Sequence, residues 1–323
     1  MGWLWQDGVH QMLTSRALSD TTIPLVGGKE GLPAVGFGTL IPDPVAARSA
    51  IKAALETGYR HIDAAEAYRN EDVVGAAMQE SFAEGTVWRD DLFVTTKLWN
   101  NNHRPERVKP ALEASLRRLQ LDHVDGYLIH TPFAFQPGDE QYPTGEDGKP
   151  IYDPGVTLRE TWQAMERLVD EGKCRYIGLS DVRLDKVKEI YAAARIKPAV
   201  VQVECHPYLP EWDLVDYCAQ HDIVFLAFAP LGHGMRPSVL NDPVITDIAR
   251  QVGKTPAQVV LAWALQRGTA FLTTSTNPSR IRENFDISNL PADALWEIRH
   301  AISTRVRFND VVETGLPGFI PRE

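Results

Sequence analysis

Eight times along this chain a short apolar run with strand character is followed by a segment whose apolar residues recur at helical spacing. A Gly-rich hairpin and a first strand fall within Ile23–Leu40 (IPLVGGKEGLPAVGFGTL), ahead of a helix over Ala46–Thr57. Strand Tyr59–Asp63 leads to helix Glu71–Glu84, Leu92–Leu98 to Pro105–Leu119, and Val124–Thr131 to Leu158–Glu171. Cys174–Leu179 leads to Leu184–Ala194, Val200–Cys205 to Glu211–Gln220, Val224–Ala229 to helices within Pro243–Arg267, and Ala270–Thr274 to Pro291–Thr304. Such alternation predicts a parallel sheet covered by helices, and eight units suit a closed barrel better than an open sheet. The open, doubly wound alternative is weakened because no strand runs into GxGxxG: Gly36 and Gly38, and Gly232 and Gly234, each lack the third glycine. No Walker loop is present either. The expected fold is α/β, a single (β/α)8 TIM barrel over residues 23–323 with an N-terminal β-hairpin, and residues 1–22 form an extension.

The composition of the 323 residues, 44% apolar and 24% charged, is that of a globular chain with ample core. A net charge of −10 without any basic run argues against a general nucleic-acid or anionic-membrane surface. Cys174, Cys205 and Cys218 are odd in number and widely spaced, so neither a disulfide framework nor a metal site is expected. A reducing, cytoplasmic setting fits this. The opening MGWLWQDGVH lacks the cationic flank and apolar run of a secretory signal, and no segment is long and apolar enough to span a bilayer. The state expected is a monomer or weak dimer.

Ionisable groups stand where strands end, the positions at which barrel enzymes carry their chemistry. Asp63 closes one strand, with Tyr68 a few residues on. LFVTTKLW carries Lys97 near its end, and VDGYLIHT carries His130. An acid, a phenol, an ammonium and an imidazole delivered together can donate a proton to a carbonyl oxygen. Each alone has an ordinary structural role: cap, rim aromatic, strand-end cation, hydrogen-bonded core group. The loop Pro132–Gly155, rich in Gly, Pro and acids, has the length of a functional or lid loop.

The segments GYRHIDAAEAY, TTKLW, YLIH, GLSD, QVECHPYLP, AFAPLG and SRIREN, in this order and at these separations, resemble the aldo-keto reductase family from about Ile23 to about Asn289. The resemblance implies a barrel reductase using a nicotinamide cofactor, with Asp63, Tyr68, Lys97 and His130 as its catalytic group. Tyr68 would give the proton to the carbonyl oxygen. A free phenol, of pKa about 10, is a weak donor, and the Lys97 charge would lower it by roughly one to three. Asp63 would balance Lys97, and a neutral His130 would orient the carbonyl by a hydrogen bond.

The resemblance also implies that Ser180, Asp181 and Gln202 hold the nicotinamide carboxamide and that Phe228 stacks on its ring, with Leu231 among the cofactor contacts. Two positions depart from the family: Asp181 where Asn is common, and Phe228-Ala229 where Tyr-Ser is common. Phe keeps the stacking face, but Asp accepts without donating unless protonated. At the adenosine end, Arg280 would meet the 2′-phosphate or stack on adenine, Ser275 and Asn277 would supply hydrogen bonds, and Glu283 and Asn284 would face adenine. A helix beginning near Pro278 suits an anion. Thr274 stands where Lys is common, so NADP(H) is expected to be favoured only modestly and NAD(H) to be accepted, without a metal. Trp99, Leu40 and Thr131 would line the substrate pocket, with fewer rings than is usual, and the long loop would close over it. The partners expected are small carbonyl or alcohol substrates. A dehydrogenase running in the oxidative direction and a non-catalytic barrel are the alternatives, and the complete catalytic group speaks against the latter.

Overall fold

The computed structural model describes residues 18–27 and 31–316. Strands β1 (Thr22–Pro24) and β2 (Gly31–Pro33) form an antiparallel hairpin with Ile23 opposite Leu32. Strands β3 (Val35–Gly38), β4 (His61–Asp63), β5 (Phe93–Leu98), β6 (Val124–Ile129), β7 (Cys174–Ser180), β8 (Val200–Glu204), β9 (Val224–Phe228) and β10 (Ala270–Thr273) close a parallel barrel in which β10 pairs with both β3 and β9. The predicted (β/α)8 barrel and its hairpin are therefore present. The hairpin feeds directly into the start of β3, so it lies at the end of the barrel opposite the strand C-termini. There it carries Leu25 and Leu32 into the core. Leu18, on a short 3-10 turn before the hairpin, is also buried; residues 1–17 of the predicted extension lie outside the described residues, and its last residue, Thr22, opens β1.

The helices are α1 (Pro44–Thr57), α2 (Glu71–Ala83), α3 (Pro105–Leu119), α4 (Leu158–Asp170), α5 (Leu184–Ala193), α6 (Trp212–Gln220), α7 (Pro243–Val252), α8 (Pro256–Gln266), α9 (Pro278–Phe285), α10 (Ala292–Ala301) and α11 (Val311–Thr314). α1 shows how local sequence fixes them. The Asp43 carboxylate accepts from Ala46 N, Pro44 occupies the first turn where no N–H is needed, and Gly58, at φ 122°, ends the helix. Its apolar stripe of Ala47, Ala50, Ile51, Ala54 and Leu55 is buried. The periodicity alone started this helix at Ala46, because the proline is invisible to an apolar pattern.

Side chains alternate across each strand, and the register sorts the site from the core. Thr96 turns outward, where its hydroxyl donates to Glu71 of α2, while Lys97 turns inward to meet Asp63. The parallel pairing of Asp63 with Thr95 and of Ser180 with Gln202 brings the inward residues of neighbouring strands to one level.

Three features go beyond the sequence pattern. Short 3-10 turns at Glu66–Tyr68 and Asn100–Asn102 follow β4 and β5. Residues beyond α10 return to the mouth, where Phe308 is fully buried and α11 forms. The loop from Pro132 to Gly155 is held down by isolated bridges between Phe135 and Tyr152 and between Thr144 and Pro150, and by the Arg104–Asp153 ion pair. It makes a wall beside the mouth.

α2 and α3 approach closely at Gly75, where an added Cβ would lie 2.5 Å from Arg118 O and 2.7 Å from Leu119 O. These are backbone atoms, so relief requires the helices to separate. Gly75→Ala is expected to destabilise the fold by about 1–3 kcal/mol; an unchanged urea midpoint would show that the helix pair yields freely.

Candidate active site

Lys97, one residue from the end of β5, is fully buried. Its three N–H groups meet three oxygens: Asp63 Oδ2 at 2.6 Å, Ala64 O at 3.0 Å and the Tyr68 hydroxyl at 3.3 Å. Asp63 is fixed in turn, since Gln202 Nε2 donates to its Oδ1 at 2.9 Å and Thr39 Oγ1 to its backbone oxygen at 2.9 Å. Burial alone would lower the Lys97 pKa, but Asp63 and Tyr68 outweigh it and the net shift is upward. Lys97 is thus a permanent cation at working pH.

Tyr68 ends the 3-10 turn that Glu66 opens. The Glu66 carboxylate accepts from Trp99 N at 3.2 Å and from Asn102 Nδ2 at 2.8 Å, while Gln141 Nε2 donates to Ala67 O at 3.0 Å. These bonds hold the phenol over the ammonium. Burial is the largest influence on the Tyr68 phenol and pushes it up to about 12, with the Lys97 charge opposing and Asp63 adding to the rise. The expectation that Lys97 brings the phenol below its ordinary value is corrected here: the ammonium acts in the expected sense, but desolvation is the larger effect.

His130 follows β6, its backbone N–H bound to Leu98 O at 3.1 Å. Burial, and then the Lys97 charge, hold it well below the ordinary imidazole range, so the ring is neutral. Its Nδ1 has no hydrogen-bond partner. The ring stands edge-on to Tyr68 at 5.7 Å and to Trp99 at 5.1 Å between centroids. The four residues named from strand ends therefore converge.

The further candidates divide. Ser180, Asp181 and Gln202 are buried at the ends of β7 and β8, and Phe228 and Leu231 are half-buried at and just beyond the end of β9. Asp181 takes φ 48°, a left-handed conformation that Asp and Asn tolerate. Arg280 and Thr274 are exposed, and the Thr274 hydroxyl donates to Gly38 O at 3.0 Å. Ser275 Oγ accepts from Asn277 N, and Asn277 Oδ1 caps α9 by accepting from Ser279 N and Arg280 N. Glu283 accepts from Thr255 Oγ1 at 2.8 Å, and Asn284 is buried. Around the pocket, Leu40 is exposed. Trp99 is fully buried, with its indole N–H on Gln141 O, and the Thr131 hydroxyl donates to Asn100 Oδ1 at 2.8 Å.

Sequence reasoning passed over Glu66, Asn100 and Glu204. Glu204 is fully buried at the end of β8, where it accepts from Phe308 N at 2.8 Å and Asn309 N at 2.9 Å and pairs with His206 Nε2 at 2.9 Å. A carboxylate inside an apolar strand was the available signal. Among the described residues no group of three or more His, Cys, Asp or Glu could hold a metal, and no helix is long and apolar enough to cross a membrane.

The closed parallel barrel brings a permanent ammonium, a protonated phenol and a neutral imidazole to one point at its strand ends, where TIM-barrel enzymes carry their active sites. The sequence model of the Aldo/keto reductase family matches residues 34–302, and the chain belongs to that family of oxidoreductases, whose members in general reduce carbonyls with a nicotinamide cofactor. It is 42% identical over 297 residues to Dihydrodiol dehydrogenase 3 of Bos taurus, covering 87% of this chain and 91% of that protein. It is 45% identical over 269 residues to Aldo-keto reductase family 1 member C1 of Macaca fuscata fuscata, covering 79% and 83%. The solved structure of the aldose reductase from Schistosoma japonicum superposes with a TM-score of 0.86 at 36% identity, over 92% of this chain and 97% of that one. The residues present fit such a cofactor: Asp181 Oδ1 is a buried oxygen without a partner at the strand ends, and an exposed arginine stands in the first turn of α9.

Asp63→Asn should expose the cost of burying Lys97. With no anion beside it, the ammonium is opposed by burial alone, and a loss of about 3–5 kcal/mol is expected in chemical denaturation at pH 7. The sign with pH follows. In the wild type the raised Lys97 pKa contributes stability below about 10.4 that is lost as pH rises through its folded value; in the variant, stability instead rises with pH toward about 10.4. A loss below about 1 kcal/mol would mean that the pair does not carry the site.

Proposed function

We propose that the protein is an NAD(P)H-dependent reductase of aldehydes, and of ketones or aldose sugars, with Tyr68 as proton donor. The observation that carries this is the triple contact of Lys97 with Asp63, Ala64 and Tyr68. Ser180, Asp181, Gln202, Phe228 and Leu231 would hold the nicotinamide end of the cofactor. Thr274, Ser275, Asn277, Arg280, Glu283 and Asn284 would hold the adenosine end. Bound there, the cofactor supplies the hydride.

The chain's own groups manage the proton and the charge. As negative charge grows on the carbonyl oxygen, the Tyr68 hydroxyl transfers its proton to it, and the ammonium behind the phenol stabilises the phenolate left behind. Because burial holds the phenol at about 12, it is fully protonated at neutral pH, the form a donor must have. His130, neutral, can donate from its ring N–H to the same oxygen. The bovine relative is named for a dehydrogenase. Oxidation on this site would need the phenolate as base, so its rate should rise with pH. Trp99, Leu40 and Thr131 would bound the substrate, which is a small carbonyl compound. Residues 23–323 would act as one domain.

Tyr68→Phe keeps the ring and removes only the donor. Carbonyl reduction should fall about 10²–10⁴-fold with cofactor affinity nearly unchanged; near wild-type turnover would overturn the assignment. Initial rates in both directions, with aldehydes, alcohols and both cofactors, place the substrate class.

Thr274 leaves the 2′-phosphate without a lysine, and Arg280 alone can grip it with its planar fork. NADPH should therefore be preferred modestly and NADH accepted. Thr274→Lys adds a charge-assisted hydrogen bond worth roughly 1.5–3 kcal/mol, about one to two powers of ten in NADPH affinity. An unchanged NADPH to NADH ratio in fluorescence titrations would show that Thr274 does not face the 2′ position.

A further inference from the structure

Asp181 stands at the barrel mouth just after β7, its backbone N–H on Gln202 O at 2.9 Å. It is more than nine-tenths buried, and its Oδ1 has no hydrogen-bond partner. A carboxylate left in that state would be a buried charge without a counter-ion, which is strongly unfavourable. The charged and titratable groups that face it are Glu204 from β8, Arg307 from the C-terminal segment, Lys97 from β5 and Tyr68 from the turn after β4. The two cations are already committed, Lys97 to Asp63 and Arg307 to Glu211. Glu204, two residues beyond the Gln202 that pairs with Ser180, is held in place by two backbone N–H groups and by His206.

We propose that Asp181 works in this site as the neutral carboxylic acid, that in this form it takes the place of an amide side chain toward the cofactor's carboxamide, and that Glu204 is the positioning residue that keeps it neutral. The inference rests on the reading of the site as a nicotinamide pocket. A protonated carboxyl has one donor and one acceptor, so it can pair with a primary amide in both directions. An ionised carboxyl offers only acceptors and cannot itself meet the amide's oxygen. The electrostatics agree with the geometry. Burial, the largest influence, and then Glu204 hold the Asp181 carboxyl well above the usual carboxylate range, against the opposing charges of Arg307 and Lys97.

The consequence is a cofactor affinity tied to one carboxyl proton. Once Asp181 ionises, affinity for either cofactor should fall by up to about tenfold per pH unit. Asp181→Asn, which keeps the shape and has a donor at every pH, should bind without that dependence.

Infrared difference spectra of wild type minus Asp181→Asn, recorded without cofactor, read the protonation directly. A carboxylic-acid carbonyl band is expected at pH 7, and its loss on titration should coincide with the fall in NADPH affinity followed by tryptophan quenching. Glu204→Gln, in which Gln keeps a carbonyl acceptor for the clasp, should move both changes to lower pH together. Absence of the band at pH 7 would overturn the proposal, as would its presence with a cofactor affinity that does not follow it. Wild-type protein that binds neither NADPH nor NADH would instead overturn the nicotinamide reading itself, and with it this role for Asp181.

Discussion

A lysine ammonium with no exposure to water is the constraint around which the mouth of this barrel is built. Its desolvation would be ruinous without an anion, and Asp63 at 2.6 Å supplies one. The pair also needs its remaining lone pairs and protons satisfied. Gln202, on the second carboxylate oxygen, and the Ala64 carbonyl, on the ammonium, meet that need, while Thr39 holds the Asp63 backbone. The ion pair thereby ties the ends of β4, β5 and β8 together, and the Tyr68 hydroxyl takes the last place on the ammonium.

The charge then sorts the protons around it. The same ammonium that opposes the rise of the phenol pushes the imidazole of His130 further toward its neutral form. One cation thus favours a donor that can part with its proton and a hydrogen-bonding ring that carries no charge. Burial sets the scale of both effects, and the ammonium provides their contrast. This is the pattern expected where one environment assigns different protonation states to neighbouring groups.

The barrel and the four convergent residues were legible because strand ends can be read from apolar runs, and a polar residue closing such a run stands out. Helix limits were less so. α1 begins at Pro44, where no apolar periodicity exists, and α10 stops at Ala301, three residues before the pattern does. The sense of the Tyr68 shift was missed for a different reason. The charged neighbour is visible in sequence, whereas depth of burial is a property of the closed barrel. Glu66 and Glu204 escaped because their partners, Trp99 and Asn102 in one case and Phe308 and Asn309 in the other, become neighbours only through tertiary structure. Nothing in the spacing of Thr131 and Trp99 shows that Asn100 and the long loop occupy their polar atoms.

The segment that returns from α10 to the mouth is fastened mostly through its main chain. Glu204 grips the backbone N–H groups of Phe308 and Asn309, Tyr208 O receives Val306 N, Tyr152 donates to Thr314 O, and Asn100 donates to Gly315 O. A clasp made of peptide groups is indifferent to most of the side chains it carries. The rim beside the candidate active site can therefore change its chemical character residue by residue while its path across the barrel stays the same.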